Sequence, residues 1–269
     1  MNGRGGRERL VAPGHRPDGT LIVIHGFLGS GRNWRSFGGR LIEWRPDWAV
    51  ELLDLRLHGE CRDVPGPHGL ASAAEDLSDA GAGAVAVLGN SLGGKVALIA
   101  AARVLRPSPV QAWIIDSSPF PTAGGGAAAR MLELLAASPE RFPSRSSAID
   151  FVEAAGFDRA TAGWMATNLR EVEDGYGWEL DVEGLRALYE DFLRVDLTDD
   201  LARLDADQDV HFVRAKRGSA IGPVDLERLA ALSSRGAPLR VHELEGGHWL
   251  HIDNADGLLE LVAGELPRL

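Results

Sequence analysis

Residues 89–94, with the sequence GNSLGG, stand between a short apolar run and a long helical one. The run before them, 84–88 (AVAVL), is uncharged and partly β-branched, which predicts a buried strand. The run after them, 95–105 (KVALIAAARVL), is rich in alanine and is soon followed by Pro107, which predicts a helix. A G-x-S-x-G between a strand and a helix is typical of a nucleophile elbow, a tight turn that lifts the serine hydroxyl clear of the sheet. Ser91 is therefore the candidate nucleophile.

The composition limits the classes of partner. The chain has 269 residues and a formal net charge of −11. Its acidic residues are spread along the chain, and such a surface without a basic patch is unfavourable for binding nucleic acid or an anionic membrane. Cys61 is the single cysteine, which excludes an internal disulfide and a cysteine-cluster metal site. A reduced compartment is the default for such a chain.

The ends and the apolar runs of the sequence lead to further expectations. Residues 1–6 have no apolar stretch of the kind found in a secretory signal, and no apolar run approaches the length of a membrane span. We therefore expect a cytoplasmic protein, with residues 1–8 as a frayed leader. Motifs for metal and phosphate binding are also missing from the sequence, so we expect no metal and no cofactor. Nothing in the sequence indicates an oligomeric state.

Short apolar runs alternate with helical patterns along most of the chain. This alternation predicts an α/β fold in which helices cover both faces of a mostly parallel central sheet. The strand candidates are 20–25, 49–55, 84–88, 110–115, 210–213 and 239–244, and the helix candidates are 32–44, 70–80, 95–105, 224–232 and 255–266.

Residues 117–205 interrupt this alternation, because they contain helical patterns and no convincing strand. The helical patterns cover 127–137, 147–155, 159–170 and 182–192. We therefore expect a helical cap at 117–205, inserted after the strand that ends near Ile115, on a core formed by 9–116 and 206–269. Most of the aromatic side chains of the insertion are expected to form its own core, and a few to face the site; they are Phe151, Phe157, Trp164, Tyr176, Trp178 and Phe192.

A serine hydroxyl needs a base within hydrogen-bond reach before it becomes a good nucleophile. His248, in the stretch 246–249 (GGHW), directly follows the last predicted strand. Loops at the carboxyl ends of parallel strands open on the same edge of a sheet, so His248 can meet Ser91 there. Four other histidines are weaker candidates because of their places beside the final helix or beside and within apolar strands: His251, His25, His58 and His242.

The base in turn needs a carboxylate that fixes its tautomer and stabilises its positive charge. After the predicted strand 210–213, the loop has Ser219 where an acid would be expected, and Asp225 comes later, within the next predicted helix. Asp116, in contrast, follows the predicted strand 110–115 directly. That position is at the carboxyl end of a strand expected to neighbour the nucleophile strand. We predict Asp116 as the acid, with Asp225 as the second choice.

Acyl transfer also requires hydrogen-bond donors aimed at the developing oxyanion. The backbone N–H of Leu92, which follows the candidate nucleophile, is one such donor. The second is expected from the stretch 25–29 (HGFLG), where glycines permit a sharp backbone path and the N–H of Phe27 can turn toward the site.

Taken together, these motifs resemble the α/β-hydrolase superfamily, over residues 21–266. The stretch 25–27 (HGF) matches its oxyanion loop, and 54–59 (DLRLHG) is close to its D-x-R-G-H-G segment. The elbow at 89–95 and the histidine loop at 247–249 also match.

More narrowly, the chain is similar to the serine carboxylesterase branch that includes the bacterial esterase YbfF and abhydrolase-domain protein 11. In that branch a lysine after the elbow glycines and an aspartate in a D-x-S-P motif recur, here Lys95 and residues 116–119. Lys95 itself is expected to form an ion pair or to pack, and not to act as a catalyst. The resemblance implies hydrolysis of a small-molecule ester or thioester, and it supports Asp116 as the acid. The chain departs from the pattern at Leu57, where glycine is usual, and at Cys61, where serine is common.

Two other functions are compatible with these residues. The first is C–C bond hydrolysis, or a lyase reaction of the menaquinone-pathway type, on the same triad; those relatives typically carry the acid after the penultimate strand. The second is a non-catalytic receptor that uses the fold to hold a ligand.

Overall fold

The computed structural model describes residues 6–80, 86–105, 111–202, 204–205 and 207–268. The described residues form nine strands, which are β1 (Arg7–Leu10), β2 (Gly19–Ile24), β3 (Trp48–Leu53), β4 (Ala86–Asn90), β5 (Gln111–Ile115), β6 (Arg170–Val172), β7 (Gly175–Gly177), β8 (Asp209–Ala215) and β9 (Leu239–Leu244).

Seven of these strands form the central sheet, in the spatial order β1-β3-β2-β4-β5-β8-β9. Strand β1 pairs antiparallel with β3, and every other neighbouring pair in this sheet is parallel. The prediction of a mostly parallel sheet is therefore confirmed. Because β4 and β5 are neighbours, the loops that follow them open side by side at the carboxyl edge of the sheet.

Helices cover both faces of this sheet, as predicted. The described residues form eleven α-helices, which are α1 (Arg35–Trp44), α2 (Leu70–Glu75), α3 (Leu92–Ile99), α4 (Gly126–Ala136), α5 (Arg145–Ala154), α6 (Arg159–Met165), α7 (Val182–Arg194), α8 (Thr198–Ala202), α9 (Pro223–Ser233), α10 (Leu250–Asp253) and α11 (Ala255–Glu265).

Two hydrophobic clusters lie on the two faces of the sheet. Side chains alternate along β2, so Ile22 and Ile24 join one cluster while Leu21 and Val23 join the other. The second cluster packs the sheet against α1 and α11. The first cluster runs from the sheet through α2 and α3 into α4 and α7, without a break at the boundary of the insertion.

The expected leader is wrong where it is described, because Arg7 and Glu8 belong to β1 and pair with β3. This edge strand has exposed and partly exposed positions in turn, and its first three residues are charged, so it has no apolar pattern to reveal it. Arg7 and Arg9 instead lie 3.8 Å and 3.9 Å from the carboxylate oxygens of Glu51 on β3. Residues 1–5 of the predicted leader, 84–85 of one predicted strand and Val110 of another lie outside the described residues.

The insertion between β5 and β8 contains helices α4 to α7 at the four predicted places, the further helix α8, which was not predicted, and a small hairpin formed by β6 and β7. The expectation of no strand in this segment was therefore wrong. Each strand of the hairpin has three residues, which is too short for a period-two pattern. The division of the chain into a core at 9–116 and 206–269 and a cap at 117–205 stays a prediction.

Several predicted helices have different ends in the structure. Helix α3 begins at Leu92, earlier than predicted, and continues as a π-helical turn over Ala100–Val104. Helix α2 ends at Glu75, five residues before the predicted end. Among the described residues, no helix combines the length and the apolar character needed to cross a bilayer.

Candidate active site

Ser91 lies in the tight turn between β4 and α3, with φ 53° and ψ −119°. This is a strained conformation for a residue that is not glycine. The two glycines of the motif make the turn possible: a Cβ at Gly89 would overlap the carbonyl of Gly93, and a Cβ at Gly93 would overlap the carbonyl of His25. The Ser91 N–H donates to the Ile115 carbonyl over 3.0 Å, which ties the turn to the end of β5.

His248 and Asp116 are in contact, although they are 132 residues apart in the chain. The Nδ1–H of His248 donates to Oδ2 of Asp116 over 2.7 Å, since an ionised carboxylate can only accept. The Asp116 side chain is fully buried, while the His248 side chain is 38% exposed. Asp116 has φ 45°, and its N–H donates to the Val213 carbonyl over 2.7 Å, which holds it between β5 and β8.

The carboxylate of Asp116 receives hydrogen bonds from the loop that follows β8. Ala215 N–H donates over 3.0 Å, Ala220 N–H over 3.2 Å, and the Ser219 hydroxyl also donates. Burial raises the pKa of Asp116, but the hydrogen bonds from His248, Ser219 and Ala215 outweigh it and hold that pKa below its ordinary value. Asp116 is therefore a carboxylate at neutral pH. Ser219, at the position where an acid was expected, supplies a donor to that carboxylate.

Asp225, the second choice for the acid, lies in the first turn of α9. Its Oδ2 accepts a hydrogen bond from the Gly222 N–H over 3.0 Å, as a helix-capping carboxylate does. The structure thus brings Asp116, and not Asp225, to His248.

The stretch 26–29 forms a β-turn, closed by a hydrogen bond from the Gly29 N–H to the Gly26 carbonyl over 3.1 Å. Phe27 and Leu92 both line the cavity that also contains Ser91 and His248. Among the described residues, the N–H of Phe27 has no hydrogen-bond partner. Leu92 is the first residue of α3, so its N–H has no acceptor within that helix. Both predicted oxyanion donors are therefore free to bind a ligand oxygen.

Two of the weaker histidine candidates are occupied by the backbone. Nε2 of His25 accepts from the Leu55 N–H over 3.0 Å, and its Nδ1 lies 2.7 Å from the Gly26 carbonyl oxygen. Burial lowers the pKa of His25 to about 4, and burial with the neighbouring His25 lowers the pKa of His58 to about 3. Both rings are neutral at physiological pH and act as structural hydrogen-bonding groups.

His251 also lines the cavity, and its ring stacks on Trp34 with 4.3 Å between the ring centroids. Burial is the main cause that lowers the pKa of His251 to about 4, with a smaller contribution from His248. The structure places it beside His248 as a packing residue, in agreement with its low rank in the sequence.

Replacing His251 by phenylalanine should reduce the acid sensitivity of folding. The unfolded chain binds a proton at this histidine near pH 6.5, while the folded protein does so only near pH 4. The contribution of the neutral His251 ring to the free energy of unfolding is therefore fully present above pH 6.5 and is lost as the pH falls toward 4. The slope is at most about 1.4 kcal/mol per pH unit for one such histidine. His251→Phe keeps the stacking on Trp34 and removes that contribution.

The measurement is the free energy of unfolding in urea at several pH values from 4 to 7. The exposed His15 provides a matched control as His15→Gln, whose curve should follow that of the wild type. A His251→Phe curve with the wild-type slope would show that this ring does not contribute to the acid sensitivity.

The cavity around Ser91 has a volume of about 1050 Å³. Most of its wall is apolar, and seven aromatic side chains line it: Phe27, Trp34, Phe157, Trp164, Tyr189, Phe192 and Trp249. The remaining predicted aromatics of the insertion pack around Phe142 instead; they are Phe151, Tyr176 and Trp178. Sequence reasoning missed Tyr189, although its place three residues before Phe192 on a predicted helix puts both on one face.

Lys95 has a different role from the one expected, an ion pair or simple packing. Its side chain is 1% exposed, and Nζ donates to the carbonyls of Phe120, Phe192 and Val195 over 2.8, 2.8 and 2.9 Å. These bonds join α3 to the segment after β5 and to the end of α7. Burial lowers the pKa of Lys95 to about 8, which leaves the ammonium form dominant at neutral pH.

Within the described part of the chain, no group of three or more His, Cys, Asp or Glu side chains has an arrangement that could hold a metal ion.

A nucleophile elbow on a parallel sheet, with an acid and a histidine on neighbouring loops, is the architecture of the α/β-hydrolases. The chain belongs to the alpha/beta hydrolase family, whose model matches residues 21–261.

The chain is also similar to an individual protein of known activity, at low sequence identity. The sn-1-specific diacylglycerol lipase ABHD11 of Danio rerio is 27% identical over 188 residues, which are 64% of this chain and 56% of the relative. The match thus spans little more than half the length of that curated protein.

The structure is also similar to solved ones. A marine microorganism esterase superposes with a TM-score of 0.78 at 19% identity, covering 96% of this chain and 97% of the esterase. MenH from S. aureus gives a TM-score of 0.68 at 14% identity, with 97% of both chains covered. At these identities the likeness shows the fold alone.

Proposed function

We propose that this chain is a serine hydrolase that cleaves carboxylic ester or thioester bonds of small molecules through an acyl-serine intermediate. The observation that carries the proposal is the hydrogen bond between the buried Asp116 and His248, which lines the same cavity as Ser91. The names of the similar lipase and of the similar esterase support the same reaction class.

In the proposed acylation step, Oγ of Ser91 attacks the ester carbonyl carbon while Nε2 of His248 takes the hydroxyl proton. Asp116 holds the imidazole through Nδ1 and stabilises its positive charge. The N–H groups of Phe27 and Leu92 donate to the oxyanion of the tetrahedral intermediate. When the intermediate collapses, the C–O bond to the leaving alcohol breaks, and His248 returns its proton to that oxygen.

Deacylation repeats the same steps with water. His248 removes a proton from a water molecule, which attacks the acyl carbon and forms a second tetrahedral intermediate. Cleavage of the bond to Oγ then releases the carboxylic acid, and His248 returns the proton to Ser91. The net reaction consumes one water and needs no cofactor.

We assign residues 117–205 as a cap over this site. Phe157, Trp164 and Phe192 of that segment line the cavity together with the core residues Trp34 and Trp249. Trp164 and Trp249 meet with 5.6 Å between their ring centroids. Binding to such a wall removes apolar groups of a ligand from water, which favours binding. The proposed substrate is therefore an ester with a large apolar acyl or alcohol part.

The position of the acid bears on the alternative of a C–C hydrolase or a lyase. That alternative expects the acid after the penultimate strand, where this chain has Ser219, a donor to Asp116. The ester reaction accords better with the observed place of the acid.

Esters of p-nitrophenol from acetate to palmitate provide the test, with Ser91→Ala as the blank. Each methylene buried in the cavity contributes about 0.8 kcal/mol, so kcat/KM should rise about fourfold per methylene until the apolar space is filled. Wild-type turnover should disappear in Ser91→Ala. Folded wild-type protein that hydrolyses none of these esters would contradict the proposal, and tight ligand-induced stabilisation without turnover would favour the receptor.

A further inference from the structure

Leu28 has an unfavourable backbone conformation next to the proposed oxyanion hole. It is the third residue of the β-turn 26–29 and has φ 60°, while Phe27 before it does not have a positive φ. These values fit a type II turn, which prefers glycine at its third position. A leucine persists in this left-handed region only where its surroundings hold it there.

Two hydrogen bonds hold Leu28, one at its N–H and one at its carbonyl. Its N–H donates to Nε2 of His58 over 2.9 Å, and its carbonyl accepts from Nδ2 of Asn168 over 3.0 Å. His58 lies in the loop after β3, whereas Asn168 lies in the insertion, in the 3₁₀ turn Ala166–Asn168. One bond therefore comes from the core and the other from the proposed cap.

The imidazole of His58 is fixed as an acceptor at this point. Its Nδ1 lies 2.8 Å from the carbonyl oxygen of Arg56, so Nδ1 carries the proton and Nε2 is left to accept from Leu28. The ring is also in contact with neighbouring rings, with centroids 5.0 Å from that of His25 and 5.9 Å from that of Phe27. A neutral ring locked in one tautomer sets the position of the Leu28 N–H.

We propose that Asn168 and His58 are positioning residues that hold Leu28 in its left-handed conformation and so aim the Phe27 N–H into the oxyanion hole. The two bonds fix the peptide groups on both sides of the Leu28 Cα. The Phe27 N–H shares its peptide group with the Gly26 carbonyl, which accepts the bond from the Gly29 N–H that closes the turn. If Leu28 relaxed to a negative φ, the turn would be distorted and the peptide that carries the Phe27 N–H would shift with it. The inference rests on the proposed function, because it concerns the oxyanion of that reaction.

The two hydrogen bonds of Leu28 with His58 and Asn168 form a clamp on the turn. Through this clamp the insertion takes part in the chemical step in addition to binding. The insertion also meets the core at the surface ion pair of Arg62 with Glu179, at 2.9 Å, and at the turn through the ring of Tyr189, whose centroid lies 5.3 Å from that of Phe27. Asn168 is distinguished by its acceptor, which belongs to the residue directly after Phe27.

The test compares Asn168→Asp with Thr167→Val in the full chain. Asn168→Asp keeps the shape of the side chain but turns a donor into an acceptor facing the Leu28 carbonyl, so the clamp is lost. Thr167 is the exposed neighbour, whose hydroxyl donates to the Trp164 carbonyl and makes no contact with the turn.

We expect kcat for the best p-nitrophenyl ester to fall about tenfold or more in Asn168→Asp, with KM within twofold of the wild type. Affinity for phenylboronic acid, which forms a tetrahedral adduct with the serine, should fall by a similar factor. If Asn168 had only a structural role, Asn168→Asp would change the melting temperature without a matching loss of kcat and of affinity for phenylboronic acid. His58→Gln, whose amide oxygen can accept from Leu28, should retain more activity than His58→Leu.

An unchanged kcat in Asn168→Asp, with or without a raised KM, would overturn the inference. The proposed function would still stand in that case, provided that the wild type hydrolyses the esters. A wild type that hydrolyses no ester would instead remove the proposed function, and this inference with it. Thr167→Val should match the wild type in kcat, and a loss there as large as in Asn168→Asp would also count against the clamp.

Discussion

Replacing Asp116 by asparagine should lower kcat for ester hydrolysis by about 10⁴-fold, the scale seen when a triad acid is changed to its amide. The amide cannot stabilise the imidazolium of His248, and its NH₂ group favours the wrong tautomer of that ring. The Ala215 N–H and the Ser219 hydroxyl both donate to Oδ1 of Asp116. An amide nitrogen in the place of Oδ1 would therefore face two donors. The measurement is kcat with the best ester of the series.

Asp225→Asn is the matched control for this prediction. Its carboxylate caps α9 through the Gly222 N–H, and an asparagine oxygen can accept the same bond. We expect kcat within about twofold of the wild type. A large loss in Asp225→Asn, together with a small one in Asp116→Asn, would move the acid to the second position and return the C–C hydrolase to consideration.

Replacing Lys95 by methionine should lower the free energy of unfolding by about 3 kcal/mol. The methionine would fill much of the same volume, but the carbonyls of Phe120, Phe192 and Val195 would lose their donor. Leaving a buried acceptor unpaired costs about 1–3 kcal/mol, and removal of the desolvated ammonium offsets part of the sum. Urea denaturation at pH 7 measures the difference.

Lys216→Met provides the comparison, because Lys216 pairs with Glu245 at the exposed surface and its replacement should leave the free energy of unfolding close to that of the wild type. A Lys95→Met protein as stable as the wild type would mean that the cost of burying the ammonium equals the gain from its three hydrogen bonds.

The sequence was most informative where chemistry forces a short motif. Ser91 could be placed because only glycines fit the approach of β4, α3 and the His25 carbonyl, and that requirement is visible as G-x-S-x-G. The side-by-side position of Asp116 and the nucleophile followed from the alternation of strands and helices, which predicts a parallel sheet. The catalytic roles of these residues remain predictions for the experiments above.

Features that depend on contacts between distant segments were beyond single-sequence reasoning. The clamp on Leu28 joins residues 140 positions apart, and no local pattern connects Asn168 with that turn. Lys95 was expected to form an ion pair or to pack, since a lysine gives no local sign that its acceptors will be backbone carbonyls. Strand β1 was missed because an exposed edge strand has no buried face to produce an apolar pattern.

The hydrophobic cluster that runs from the sheet into α4 and α7 has a consequence for engineering this protein. Recombination that replaces only residues 117–205 with the corresponding segment of a relative would place foreign side chains on α2 and α3, whose surfaces are shaped for the present ones. Leu132 and Leu188, for example, share one cluster with Leu70 of α2 and Val96 of α3. A graft intended to change the substrate would therefore have to include the matching surface of α2 and α3 from the same relative.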